Sequence, residues 1–212
     1  MLAYKQEHIK AIVLDFGAVL ININYQLTID AFKQLGITNF DELYSKAQQT
    51  NLFNDLETGV ISDLDFYNGI RTLSKTELSN VQIQYAWNAM LLDLPKHRID
   101  FVYALKQRYS VCLLSNTNCI HEQAFMQHIR TTIGQDYFYD AFNKIFYSHE
   151  LGLRKPNSNV FEYVQKHINA TANQILFVDD SPQHIQGALH YGWNAHHLLD
   201  TEEITQVLNS LI

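Results

Sequence analysis

The chain has 212 residues, 47% of them hydrophobic and 17% charged, enough for one substantial domain, or one domain with a smaller insert, that buries roughly 70% of its unfolded surface. Eight glycines and three prolines rule out disordered and collagen-like chains. A formal net charge of −7 with no basic run speaks against a nucleic-acid surface, yet leaves an anionic substrate open, because one lysine, backbone N–H groups and a metal ion suffice to hold a phosphate.

Met1 to Lys10 is polar and lacks the apolar core of a signal peptide. The first strand is predicted at Ala11–Leu14. The longest apolar stretch, Ala11 to Ile21, is broken by Asp15, so no membrane span is expected and the protein reads as cytoplasmic. Nearly 100 residues then pass without a convincing strand. Their pattern is helical: Leu27, Ala31, Phe32 and Leu35; Leu64, Phe66, Ile70 and Leu73; Ile83, Trp87, Met90 and Leu91. Ser62 with Asp65 three residues on reads as an N-cap with an acidic first turn. Residues 24–94 are expected to form an all-helical cap, a lid closed off by Pro95, with residues 1–23 and 95–212 as the core.

After a helix containing Val102 and Leu105, strands are predicted at Val111–Leu114, Ile145–Tyr147 and Ile175–Val178, with a weaker one at Ala195–Leu199. Further helical patterns run through Val160, Phe161, Val164 and Ile168, then Ile185, Ala188 and Leu189. Alternating strands and helices with near-continuous apolar strands imply an α/β fold: a Rossmann-like parallel sheet with helices on both faces. Cys112 and Cys119 have neither metal-type nor CxxC spacing and read as reduced thiols.

Three strand ends carry polar residues that packing alone would not select: Asp15, Ser115-Asn116 and Asp179-Asp180. Ligands bind outside the carboxyl ends of strands in an open parallel sheet, so these ends would aim a carboxylate, a hydroxyl and a carboxylate pair into one crevice. Lys155, just before Pro156 at a helix start, would add positive charge to the same rim. Each residue alone has an ordinary reading as a cap or a solvated turn; their joint placement does not.

The segments Ala11–Val19, Leu113–Asn118, Gly152–Pro156 and Phe177–Ser181 resemble the haloacid dehalogenase-like (HAD) hydrolase superfamily, in the branch with a helical cap inserted after the first strand. Within it, the Asp-x-Gly, Ser-Asn-Thr-Asn and Gly-x-x-Lys-Pro motifs and the cap stretch Glu57–Ser62 are similar to sugar phosphatases of the α-D-glucose-1-phosphatase type. The resemblance implies a magnesium-dependent phosphatase acting on small phosphorylated metabolites through an aspartyl-phosphate. In that scheme Asp15 is the nucleophile. Mg2+ is held by Asp15, the Gly17 carbonyl and Asp180, with Asp179 as a further ligand or an orienting neighbour. Ser115 and the Asn116 N–H bind the phosphoryl oxygens, and Lys155 neutralises them.

Most HAD phosphatases place a second Asp, the general acid and base, where this chain has Gly17; losing such a group typically costs about 10²–10⁴ in rate. The named branch shares the departure. His184 stands where that branch often has Asn and is read as facing its helix, with contact to metal-bound water as the alternative; His196 and His197 are read as scattered surface or core residues. Asn22 and Asn24 replace acidic residues of the first loop. Specificity is expected from the cap, near Glu57–Ile61, Trp87 and Asn88. Alternatives are a phosphate-binding or regulatory protein with vestigial activity, a metal-free haloacid dehalogenase, which would not need Asp179-Asp180, and a phosphomutase. Oligomeric state is not readable from the sequence.

Overall fold

The structure, a computed structural model, describes residues 8–40, 44 and 51–211. Residues 1–7 of the polar N-terminal segment lie outside them. Five strands form one parallel sheet: β1 (Ala11–Leu14), β2 (Ser110–Ser115), β3 (Lys144–Tyr147), β4 (Ile175–Asp179) and β5 (Asn194–His197), in the order β3-β2-β1-β4-β5. The strand order reverses beside β1, which places a ligand crevice at its carboxyl end. Register does the rest. Leu14 lies level with Leu113 and with Val178, so Asp15 and Asp179 are neighbours one step beyond, tied by the Asp15 N–H to the Val178 carbonyl at 2.9 Å.

Successive strand residues alternate between two packed faces, as the pleat requires. Ile12, Leu14, Val111, Leu113, Leu176 and Val178 point to one side. There they meet α5 (Lys96–Lys106) and α6 (Cys119–Thr132) through Val102, Leu105, Phe125 and Ile129. Ala11, Val13, Cys112, Leu114, Ile175 and Phe177 point to the other. That side is covered by α9 (Ser158–His167) and α10 (Pro182–Tyr191) through Phe161, Val164, Ile185 and Ala188. Shorter helices, α7 (Gln135–Asp140), α8 (Ser148–Leu151) and α11 (Ile204–Val207), fill the connections. Both cysteines are free. Among the described residues no helix is long and apolar enough to cross a membrane.

Between β1 and β2 the chain builds α1 (Tyr25–Gln34), α2 (Leu52–Glu57), α3 (Asp63–Ser74) and α4 (Asn80–Asn88). Their starts are set by local chemistry. Asn24 caps α1 by accepting from Gln26 N–H, and reciprocal capping boxes open α3 (Ser62 with Asp65) and α4 (Ser79 with Gln82). Phe32, Leu56, Phe66, Ile70, Ile83 and Trp87 share an apolar cluster separate from the sheet's two, joined from the core by Ile120. The two connections to the sheet run side by side. Asn22 and Asn24 donate backbone hydrogen bonds to the Asp93 and Met90 carbonyls, and Leu92 donates to Asn22. The Asn22 side chain also bonds Asp93 and Arg98.

The turn after α2 sits directly on the core. Gly59 has φ +66°, and a Cβ there would lie 2.3 Å from the His149 carbonyl oxygen. Both the left-handed backbone and the close approach demand glycine. Gly59→Ala is therefore expected to lower stability by about 1–3 kcal/mol, seen as a lower midpoint in urea denaturation.

Candidate active site

The crevice centres on Lys155. Its side chain is fully buried, and its Nζ donates to Asp15 Oδ1 at 2.7 Å and to Asp179 Oδ2 at 2.6 Å. One ammonium thus bridges the ends of β1 and β4. The Lys155 backbone is clamped in turn by the Asn116 side chain, whose Oδ1 accepts from Lys155 N–H and whose Nδ2 donates to the Lys155 carbonyl, both at 3.0 Å. With the Asn116 amide committed to that clamp, its own backbone N–H is what remains for a ligand. Ser115, the last residue of β2, is buried, and its hydroxyl has no partner among the described residues. Thr117 exchanges two 2.9 Å bonds with the Ser148 hydroxyl, and Asn118 caps α6 through His121 N–H.

The carboxylates of Asp15, Asp179 and Asp180 lie within 4.8 Å of one another. Both Asp179 oxygens are engaged: Oδ2 by Lys155, Oδ1 by Ser181 N–H at 2.8 Å and by His184 Nδ1 at 3.0 Å. Asp180 has no such side-chain partners among the described residues. In the tight turn after Asp15, the Phe16 carbonyl accepts from Leu20 and Ile21, whereas the Gly17 carbonyl accepts nothing from the described residues. Free oxygens on Asp15, Gly17 and Asp180 make a hard, all-oxygen donor set that fits a small divalent cation.

Burial and like charge act differently on the three acids. Desolvation pushes the Asp15 carboxyl up to about 7, against the pull of Lys155 and with the help of Asp179. Desolvation also opposes Asp179, but Lys155 and His184 outweigh it and hold that carboxyl below its ordinary range. Asp180 is raised by desolvation and then by Asp179. Lys155 is held above its ordinary value because its two carboxylates outweigh desolvation.

Every residue expected at the site from the sequence lies around this crevice, and Asp15, Gly17, Ser115, Asn116 and Asp180 line one cavity of about 480 Å³. Other residues join them. His184 does not merely face its helix: it lines the cavity and bonds Asp179. His197 is not scattered, since its Nε2 bonds the Asp180 carbonyl at 2.8 Å. Arg154, next to Lys155, pairs across the cavity with Glu57 of α2 at 3.0 Å and bonds Asn54. Trp87 of α4 stacks between Phe53 and His121. His184 had a spacing signal, falling in the first turn of the helix after Asp179; the Arg154–Glu57 pair had none.

Residues 9–192 match the haloacid dehalogenase-like hydrolase family. The chain belongs to that family. Among its relatives, a D-ribitol-5-phosphate phosphatase of Bacteroides thetaiotaomicron is 29% identical over 206 residues, covering 95% of this chain and 100% of that one. A HAD-family enzyme from the same organism, solved in complex with magnesium and inorganic phosphate, has a TM-score of 0.84 at 30% identity, over 94% of this chain and 98% of its own. A predicted HAD-like hydrolase of Porphyromonas gingivalis gives 0.85 at 27% identity, over 96% and 98%.

Opposite stability effects are expected within the Lys155 cluster. The folded Asp15 value lies above its ordinary 3.8, so ionised Asp15 costs stability, increasingly as pH rises from about 4 through 7. The folded Asp179 value is depressed, so its contribution is present above the ordinary value and is lost only as pH falls through the folded one. Asp15→Asn should therefore raise the Tm of protein in EDTA at pH 8 by at least about 2 °C, roughly 1 kcal/mol for a chain of this length. Lys155→Met leaves buried carboxylates unpaired and should cost about 3–5 kcal/mol. Thermal melts of the two variants check both signs.

Proposed function

We propose that this chain is a magnesium-dependent phosphatase that hydrolyses small phosphomonoesters, sugar phosphates and their polyol counterparts, through an aspartyl-phosphate on Asp15. The observation that carries this reading is the Lys155 ammonium holding Asp15 beside two further carboxylates at the sheet's carboxyl end. The relative named as a phosphatase and the neighbour solved with magnesium and phosphate support it. Asp15, Asp180 and the Gly17 carbonyl would hold the metal, with Asp179 as the orienting neighbour because its oxygens are already bonded. A bound magnesium ion supplies the charge that lets an anionic phosphate approach an anionic carboxylate.

Lys155 orients the Asp15 carboxylate, one oxygen of which would face the metal while the other attacks phosphorus as the ester O–P bond breaks. Ser115, the Asn116 N–H and Lys155 surround the transferring group and stabilise charge on its equatorial oxygens. Water then releases phosphate and restores Asp15. Residues 24–94 act as a cap over the core formed by residues 1–23 and 95–212, excluding water and completing the site. Free cysteines outside any metal or redox spacing support the cytoplasm as its compartment.

The missing acid at Gly17 has a structural counterpart. A Cβ at Gly17 would lie 2.7 Å from Ile23 Cδ1, the movable end of a side chain, so a side chain at position 17 requires Ile23 to shift. Without that acid, the first step depends on how well the leaving oxygen tolerates charge. Across a series of aryl phosphates with magnesium, kcat/KM should fall steeply as leaving-group pKa rises, while kcat varies less. Gly17→Asp should flatten the dependence. Asp15→Asn should abolish turnover, and Asp180→Asn should mainly weaken the thermal stabilisation that magnesium gives. Full activity in Asp15→Asn would exclude the mechanism.

A further inference from the structure

Outside the active-site cavity, a second group of metal-type side chains converges where α6 meets α8. Glu122 of α6 and His149 and Glu150 of α8 each bring a donor atom within 4.8 Å of the others, and none of the three lines the cavity. His149 Nε2 stands 3.0 Å from Glu122 Oε2. Its Nδ1 is buried without a hydrogen-bond partner, so a cation taking the Nε2 lone pair breaks no other bond of the ring. Two carboxylates share this corner, yet neither is ion-paired with a lysine or arginine among the described residues. The corner is short of positive charge.

Tyr147, the last residue of β3, adds an independent observation. It is 2% exposed, and its hydroxyl has no hydrogen-bond partner. Its ring stacks on His149, 5.9 Å between centroids and 17° from parallel. Burial, then the charges of Tyr139, Glu122 and Glu150, raise that hydroxyl above its ordinary value, which sets it within the field of both carboxylates. A buried polar group left unpaired in a native protein calls for a reason, and water carried by a metal ion would supply the partner.

The donor set selects the ion. One imidazole nitrogen and two carboxylates suit zinc and its neighbours, whereas magnesium prefers all-oxygen surroundings such as the Asp15 cluster. Tetrahedral zinc, with ligands at about 2.0–2.1 Å, sets two of them roughly 3.3 Å apart, and the His149–Glu122 distance is already close to that. Glu150 is exposed and needs only a side-chain rotation to complete the three.

We propose that Glu122, His149 and Glu150 bind a zinc-class divalent cation, with water in the fourth position paired to the Tyr147 hydroxyl. This site is separate from the magnesium position and does not rest on the phosphatase reading. It pins α6 to α8, whose Ser148 hydroxyl bonds Thr117 and whose His149 carbonyl meets the Gly59 turn. Zinc there braces the surface on which the cap is seated.

The test titrates zinc chloride calorimetrically into the untagged chain at about pH 7.5, where imidazole is mostly neutral. Asp15→Asn and Asp180→Asn are both present, to remove the active-site ligands from the comparison. This background should bind zinc saturably, one ion per chain. Adding His149→Gln or Glu150→Gln should weaken that binding at least tenfold. A background with no saturable binding overturns the site, as does a loss smaller than tenfold in either added variant, which would leave the zinc on scattered surface histidines. If His149→Gln fails to fold, Glu150→Gln, at an exposed position, decides alone.

Discussion

A single buried ammonium organises this molecule. Lys155 has no exposure to solvent, and its Nζ also stands 5.3 Å from the Phe177 ring. A lysine in such a place is tolerable only with opposite charge in contact, and Asp15 and Asp179 supply it. The reverse is equally true. Three carboxylates converging at the end of a parallel sheet repel one another, and without Lys155 two of them would be buried unpaired. The site is a charge cluster left one cation short, which is why a metal and a phosphate have a place in it.

The fold exists, in effect, to deliver that cluster. Parallel register brings Asp15 level with Asp179, the Asn116 amide clamps the Lys155 backbone, and His184 and His197 hold the Asp179 side chain and the Asp180 carbonyl. None of these contacts depends on the cap. The cap enters from the opposite side through Glu57, Gly59 and Trp87, with the Gly59 turn pressed against the His149 carbonyl. The Lys155 cluster therefore belongs to the sheet, and the other end of the cavity is lined by the inserted helices.

Much of this was legible in the sequence because the relevant physics is local. The strands of the sheet's centre are unbroken apolar runs, and Asp15, Ser115 and Asp179 stand out as polar residues at their ends. The Ser62 N-cap with Asp65 in the first turn was readable from spacing alone, and the two side chains form a reciprocal capping box. The weakest strand prediction, Ala195–Leu199, moved to Asn194–His197 because this edge strand is only half-buried and carries two histidines instead of an apolar run. What escaped was non-local. The pairing of Glu57 with Arg154, and of His197 with the Asp180 carbonyl, depends on which loops the topology brings together. The approach of Ile23 Cδ1 to Gly17 likewise appears only in three dimensions. Family resemblance supplied the roles that chemistry alone left open between catalysis and mere binding.

The central claim is that Asp15, oriented by Lys155, becomes covalently phosphorylated during turnover. Acid quenching during steady-state turnover of a saturating aryl phosphate with magnesium, followed by peptide mass analysis, addresses it directly. The account predicts a phosphoryl adduct on the peptide carrying Asp15, located at that residue, and its absence in Asp15→Asn. A phosphoryl group on any other side chain of a turning-over enzyme would contradict it.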